Sequence, residues 1–494
     1  MKKYYILLLP LFLTLTACDS FLSIKPKAEI VEDVFFDTPE GFEDALYGVY
    51  SKMSQTSLYG EHLTWGLLDQ FAQYYTKANT NDNDRYKLTL NHEELKGFYS
   101  MIWRSDYEVI GYINNVIRNL DRVGDKNLPH YKLYRGEALG LRAFLHFDLV
   151  RLYAPHFHSK PDEEAIPYVS IYQAMVSPFK TVREVYELVL KDLQEAESLM
   201  TQDEELLTFP RDFDKEKHFL TARQIHFNLY AVQATMARVY MEMGDKENAL
   251  LYAKKVIDSG KFPFVDKLQL ETFVAGKVSG YETIFGLYTT KLVDPLKENF
   301  YTYAPDRTWL PANDMFDLYS VPQEEGNDMR SGAWFRTLKG DDEHDNVRRC
   351  LKIVNESQIT DDGESNTGMI DGINLIRISE MYLIAAECLL ESDPEEAQRY
   401  FDALIVSRGL YKYADCPGDK HVSMASILKE RRKEFVQEGQ YFYTLKRLNK
   451  DFYCDAIKTD LKASNELFTL LIPDEEYEYR YTEEDEQEEN KESK

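Results

Sequence analysis

The sequence predicts a mostly α-helical fold, a tetratricopeptide-like stack of helix pairs interrupted by one long irregular, loop-rich insertion that reads as a ligand-binding face. Three observations predict it. Apolar residues recur at three and four positions over several segments, two segments place small and aromatic residues where a helix-pair repeat packs them, and the periodicity disappears between residues 261 and 370. The chain has 494 residues, 44% hydrophobic and 29% charged, enough to bury a large core and incompatible with a generally disordered or collagen-like polymer.

Residues 1–17 have signal-peptide proportions: Lys2 and Lys3, an apolar run from Ile6 to Leu15, then the small pair Thr16 and Ala17. That run is too short to cross a bilayer, and no later segment approaches the ~20 apolar residues a spanning helix needs. Leu15-Thr16-Ala17-Cys18 resembles a bacterial lipobox, which implies cleavage before Cys18 and acylation of its sulfur and new amino group. A plain secretory signal with a chance cysteine is the alternative. Each buried methylene contributes about 0.8 kcal/mol, so two or three acyl chains hold a soluble body at a membrane. Residues 18–40, with Pro26 and Pro39, read as the strap between lipid and body.

The region 41–260 reads as helical repeats. Phe42, Ala45, Leu46, Val49, Tyr50 and Met53 form one apolar stripe, and Val109, Ile113, Val116, Ile117 and Leu120 form another. Residues 137–153 are apolar almost all round, as befits a helix inside a stack, and Pro155 stops them. Thr181 with Glu184 reads as a capping box opening the helix of Val182, Val185, Val189 and Leu193. In residues 223–259, Ala237, Tyr240, Gly244-Asp245, Ala249 and Ala253 fall at tetratricopeptide packing positions. A second copy spans 374–408, within a C-terminal helical region 371–481, with Ala385 and Ala397 twelve apart as Ala237 and Ala249 are. Asp393-Pro394 supplies an N-cap and a first-turn proline there. Four such pairs, 42–120, 137–200, 223–259 and 374–408, make a curved stack in which each covers its neighbour's apolar face. An unrelated helical bundle is the alternative. Residues 482–494 have no aliphatic residue and read as an acidic, solvated, disordered tail.

Lys and Arg number 58 against 85 Asp and Glu, and a net charge of −27 argues against nucleic acid as partner. No CxxC pair occurs among five cysteines, and no phosphate-cradling glycine loop, nucleophile elbow or HExxH helix is present. His156-x-His158 lacks an evident third ligand, and the oxygen-rich runs 79–84 and 361–365 do not follow EF-hand spacing. The expectation is therefore no catalytic residue, metal or cofactor. Paired carboxylates for glycoside hydrolysis are uninformative, since with so many acidic residues any two can meet across a cleft. What remains is an aromatic share of 13%, with 35 Tyr and 4 Trp. Trp65, Tyr74, Tyr75, Asn79, Asn81, Tyr301, Tyr303 and Trp309 are the candidates for a binding face, because aromatic planes pack on sugar C–H faces or peptide side chains while amides read polar edges. Each alone has a core-packing reading too, and Trp103 is assigned to core.

Several segments together resemble the SusD/RagB family of outer-membrane nutrient-uptake lipoproteins of Bacteroidetes. They are Cys18-Asp19-Ser20-Phe21-Leu22 with Lys25-Pro26, the helix Glu137-Ala138-Leu139-Gly140-Leu141-Arg142-Ala143-Phe144 through Tyr153, and Ile376-Arg377-Ile378-Ser379-Glu380-Met381-Tyr382. Lys429-Glu430-Arg431-Arg432-Lys433-Glu434-Phe435 with Glu438-Gly439, and the strand-like Leu471-Ile472-Pro473, complete the series. Thr444 stands where the family usually has Asp, and Ala154-Pro155-His156-Phe157 replaces a glycine-containing turn. The resemblance implies a surface-exposed lipoprotein, anchored through Cys18 in the outer membrane, that pairs with a SusC-like TonB-dependent transporter. It implies a lid that captures oligosaccharide and hands it on without making or breaking a bond. A RagB-like peptide-binding lid is the alternative within the architecture; a secreted hydrolase or a surface scaffold is the alternative outside it.

Overall fold

The computed structural model describes residues 32–77, 95–173, 175–211, 219–266, 277–302, 309–312, 314–337, 348–354, 369–454 and 459–478. Cys18, Asn79, Asn81, Tyr303, the oxygen-rich runs and the acidic tail lie outside these residues, as does the leader.

Ten helices of eight or more residues occur among the described residues: α1 (Pro39–Met53), α2 (Lys96–Val123), α3 (Tyr131–Tyr153), α4 (Val182–Leu199), α5 (Leu229–Glu242), α6 (Lys246–Asp258), α7 (Ile378–Leu389), α8 (Pro394–Ser407), α9 (Met424–Glu434) and α10 (Gln440–Arg447). Their ends are written in the sequence. Thr181 and Glu184 form the reciprocal capping box of α4, while Asn228, Asp245 and Asp393 cap α5, α6 and α8 through their side-chain oxygens. The helices pack as a chain of neighbours, α2 on α3, α3 on α4, α4 on α5, α5 on α6, α6 on α7 and α7 on α8, so the four predicted pairs form one stack. Close approach depends on small residues: Ala237, Ala249, Ala253, Ala385 and Ala397 are fully buried. Tyr240 stacks on Tyr252 at 5.7 Å between ring centres.

α3 is buried along nearly its whole length, charges included. Those charges are paired. Arg142 makes a bidentate bond to Asp192 (2.7 and 2.9 Å), Arg151 pairs with Asp148, and Glu137 accepts from Tyr50 and from Arg223 (2.8 Å). A buried ion is tolerated only with such partners.

The insertion is less irregular than its sequence predicts. Strand β4 (Lys277–Ser279) and strand β5 (Thr283–Tyr288) flank β9 (Met369–Arg377) in an antiparallel sheet, and β9 runs straight into α7. Ile284, Phe285 and Leu287 of β5 are buried, and the Ile284 carbonyl accepts from Asn228 (2.7 Å), which ties the sheet to the start of α5. β7 (Phe335–Thr337) pairs with β8 (Arg348–Cys350), and earlier in the chain β2 (Glu164–Pro167) pairs with β3 (Phe179–Thr181). Three-residue strands are too short for alternation to be visible in sequence. Leu471-Ile472-Pro473, expected to be strand-like, lies outside any strand; the neighbouring Leu470 N–H donates to the Leu152 carbonyl (2.9 Å).

Beneath this sheet lies a closed ionic network. Arg330, Lys352, Arg377, Arg408 and Lys433 face Glu282, Asp328, Glu430, Glu434 and Glu438, five cations against five carboxylates, all buried. Cys350, Cys388, Cys416 and Cys454 are buried, and no disulfide joins them to one another.

Candidate functional site

A short helix, Leu67–Phe71, ends where Gln73 adopts a left-handed backbone (φ 59°), and the chain then enters strand β1 (Tyr75–Lys77). β1 pairs antiparallel with β6 (Trp309–Pro311), Tyr75 opposite Pro311 and Lys77 opposite Trp309. This pairing brings together aromatic candidates far apart in sequence. Trp309 lies 5.4 Å from Trp65 and 5.5 Å from Tyr75 between ring centres, and Phe300 packs against all three at 5.5–5.7 Å. The four rings are buried, none more than 5% exposed, so they form a knot facing one another rather than an open platform. Tyr74 is buried elsewhere: its hydroxyl donates to the Arg432 carbonyl (2.8 Å) and its ring faces Tyr441. Tyr301 is half-buried beside the knot, and Trp103 is buried, donating its Nε1–H to Glu476 (2.9 Å).

Next to the knot is a cavity of about 320 Å³ lined by Gln73, Ala312, Asp314, Arg432, Tyr441, Lys450, Asp451, Phe452 and Tyr453. Four segments position it. Asp69 of the short helix is fully buried, and its carboxyl oxygens accept from the backbone N–H groups of Gln437 (2.5 Å) and Gly439 (2.9 Å), locking the floor to the turn between α9 and α10. Only glycine suits that turn: Gly439 has φ 71°, and a Cβ there would stand 2.4 Å from the Leu63 carbonyl oxygen. Arg432 reaches from α9 to make a fork with Asp314, at 2.6 and 3.1 Å. Burial disfavours the charged guanidinium, but the Asp314 carboxylate outweighs it and holds Arg432 protonated. Asn449, again left-handed (φ 44°), turns the chain after α10, and strand β10 (Phe452–Cys454), paired with β11 (Thr459–Leu461), follows. Tyr453 stays 51% exposed.

Sequence reasoning missed Asp314, Arg432, Tyr441 and Tyr453. Arg432 stands inside the Lys429-Glu430-Arg431-Arg432-Lys433-Glu434 signature, whose periodicity reads as scaffold, and no local signal marks Tyr453. Two larger cavities lie along α2. One, of about 640 Å³, is lined by Lys96, Arg104, Asp474 and Glu478; the other, of about 450 Å³, is rimmed by the exposed Ile171, Met175 and Val176. Among the described residues no group of three or more His, Cys, Asp or Glu is placed to hold a metal ion; His156 Nε2 stands 3.1 Å from Glu242 instead. No described helix is long and apolar enough to cross a membrane.

By class this is a tetratricopeptide-like protein with a polar and aromatic cavity on its side. Residues 20–241 match a family described as "Starch-binding associating with outer membrane", and residues 301–494 match the SusD family. The chain belongs to the SusD/RagB family. It is similar to SusD-like protein P38 of Formosa agariphila, 23% identical over 474 residues covering 88% of this chain and 89% of that protein. SusD-like protein P2 of the same organism is 27% identical over 269 residues, covering 52% of this chain and about half, 47%, of that relative's length. Among solved structures, a SusD superfamily protein from Bacteroides thetaiotaomicron superposes with a TM-score of 0.71 at 23% identity, covering 90% of this chain and 98% of that one. A laminarin-binding SusD-like protein superposes with a TM-score of 0.62 at 17% identity, covering 89% and 97%. These likenesses show a shared fold.

Proposed function

We propose that this chain is a surface-exposed, non-enzymatic nutrient-binding lipoprotein that captures oligosaccharide and delivers it to a SusC-like TonB-dependent transporter as its lid. Cys18 carries the acyl anchor that keeps it at the outer membrane. One observation carries the ligand class: the cavity presents the Arg432–Asp314 fork beside Tyr441, Phe452 and Tyr453. Such a fork offers aligned donors and acceptors to vicinal hydroxyls while contributing no net charge, and the rings offer faces to sugar C–H groups. The lining counts two cations, Arg432 and Lys450, against two carboxylates, Asp314 and Asp451, and so favours a neutral glycan. The family description names starch and a structural neighbour is named for laminarin, and both are neutral glucans. In this reading the knot of Trp65, Tyr75 and Trp309 lies beside the cavity and holds β1 and β6 in place without lining it. Tyr301 lies beside the knot, Tyr74 backs the Tyr441 ring of the lining, and Asn79, Asn81 and Tyr303 are proposed as ligand contacts on their side-chain chemistry alone.

The test is calorimetric titration with laminarin- and starch-derived oligosaccharides, paired with product analysis. Reversible binding without cleavage is expected. Tyr453→Ala, at an exposed position, is expected to weaken it about tenfold with folding unchanged. Cleavage of the glycan, binding of peptides alone, or unchanged affinity in both Tyr453→Ala and Asp314→Ala would overturn the assignment.

A further inference from the structure

Five helices, α3, α5, α7, α9 and α10, converge on a small cavity of about 20 Å³, remote in function from the glycan site and independent of that reading. Its lining is dominated by guanidinium groups. Arg238 engages Glu380 through Nε (3.0 Å) and Nη2 (2.6 Å), which leaves its Nη1 with no protein partner. Arg151, stacked 3.7 Å from the Tyr443 ring centre, has its Nε unpartnered, and so is the Tyr443 hydroxyl. These three side chains are at most 5% exposed and line the same cavity. A guanidinium N–H donates and never accepts, so Arg238 Nη1 and Arg151 Nε both lack an acceptor, and the Tyr443 hydroxyl, able to donate or accept, lacks a partner beside them.

The charge count points the same way. Arg151, Arg238, Arg431 and Arg447 are four guanidiniums, and Lys446, whose ammonium burial brings down to a pKa of about 7, is a fifth basic group; Asp148, Glu242, Glu380 and Glu387 are four carboxylates. Arg431 has no carboxylate of its own: its Nε donates to Thr444 (3.0 Å), and Glu380, already held by Arg238, is 3.8 Å away. Lys446 donates only to the carbonyls of Arg151 (2.6 Å) and Ala154 (2.7 Å). Of the two carboxylates that line the cavity, Glu380 is engaged by Arg238 and Glu242 faces His156.

We propose that this cavity binds one small monovalent anion of the size and chemistry of chloride. The volume admits a single water-sized particle and excludes phosphate or sulfate. A halide accepts from both guanidinium N–H groups and from the hydroxyl at once and brings a negative charge among the basic groups; a water can serve the same three groups but brings no charge.

The test uses the whole folded protein. Crystals grown in sodium bromide are measured at the bromine absorption edge, and thermal unfolding is followed as chloride replaces gluconate at constant ionic strength. An anomalous peak between Arg238 and Tyr443 and a melting temperature that climbs with chloride are expected. Tyr443→Phe keeps the ring on Arg151 and removes only the hydroxyl, so it should fold and should raise the half-saturating chloride concentration about tenfold. A cavity filled by water with no bromide peak, or a chloride response unchanged in Tyr443→Phe, would overturn the proposal.

Discussion

Asp106, on α2, has both carboxyl oxygens buried with no hydrogen-bond partner among the described residues. Burial first, and the nearby Asp148 carboxylate second, raise its pKa well above the usual carboxylate value, so the folded protein keeps this proton after the unfolded chain has lost it. The sign follows from that difference. The contribution is fully present below the unfolded value, about 3.9, and is lost as pH rises through the folded one. Asp106→Asn keeps the shape without the titration. The variant should match the parent near pH 4 and exceed it by roughly 1–3 kcal/mol at pH 8, read from denaturant unfolding at both pH values. Equal slopes against pH in the two proteins would mean that Asp106 is ionised in the fold.

α6 shows how one element depends on the turns at its ends. Gly244 joins it to α5 with φ 70°, and a Cβ there would stand 2.2 Å from His158 Nε2; Gly260 follows it with φ 66° and open space around the same position. Gly260→Ala should cost about 1–2 kcal/mol, the left-handed backbone penalty alone. Gly244→Ala should cost more, since the imidazole must also move, and thermal unfolding of the two variants checks the order. Such elements were legible in the sequence because their signals are local: the Thr181 and Glu184 box, the Asp393-Pro394 start and the Ala237/Ala249 spacing each sit within a few turns. β1 and β6 were not, because Tyr75 meets Pro311 across a fold that neither segment encodes. For the same reason the aromatic character of Trp65, Tyr75 and Trp309 was legible and their mutual burial was not. α9 carries the clearest case. Successive residues on a helix point about 100° apart, so Arg431 lines the small cavity, Arg432 the larger one, and Lys433 the ionic network. A periodicity that reads as scaffold therefore hides a site residue.

At the scale of the molecule, the balanced network joins parts that are distant in the chain: Glu282 before β5, Asp328, Arg330 and Lys352 in the insertion, Arg377 where β9 becomes α7, Arg408 after α8, and the end of α9. Glu434 is its hub, accepting from Arg330 (2.8 Å), Arg377 (2.6 Å) and Arg408 (2.6 Å). Burial pushes this carboxyl up, but the guanidiniums of Arg408 and Arg377 outweigh it and hold it well below the usual carboxylate range. A depressed folded value gives stability that is present above the unfolded pKa, about 4.3, and lost as pH falls through the folded one. Glu434→Gln removes one charge and leaves three buried guanidiniums short of a partner, so it should cost about 3–5 kcal/mol at pH 7. The parent should then lose stability in acid faster than the variant, which has already given up that contribution. Because the network ties the insertion to the C-terminal helices, the loss should lower one common calorimetric transition. An early, separate melting of the C-terminal region would show that the two parts are held together by apolar packing and that the charges only decorate their boundary.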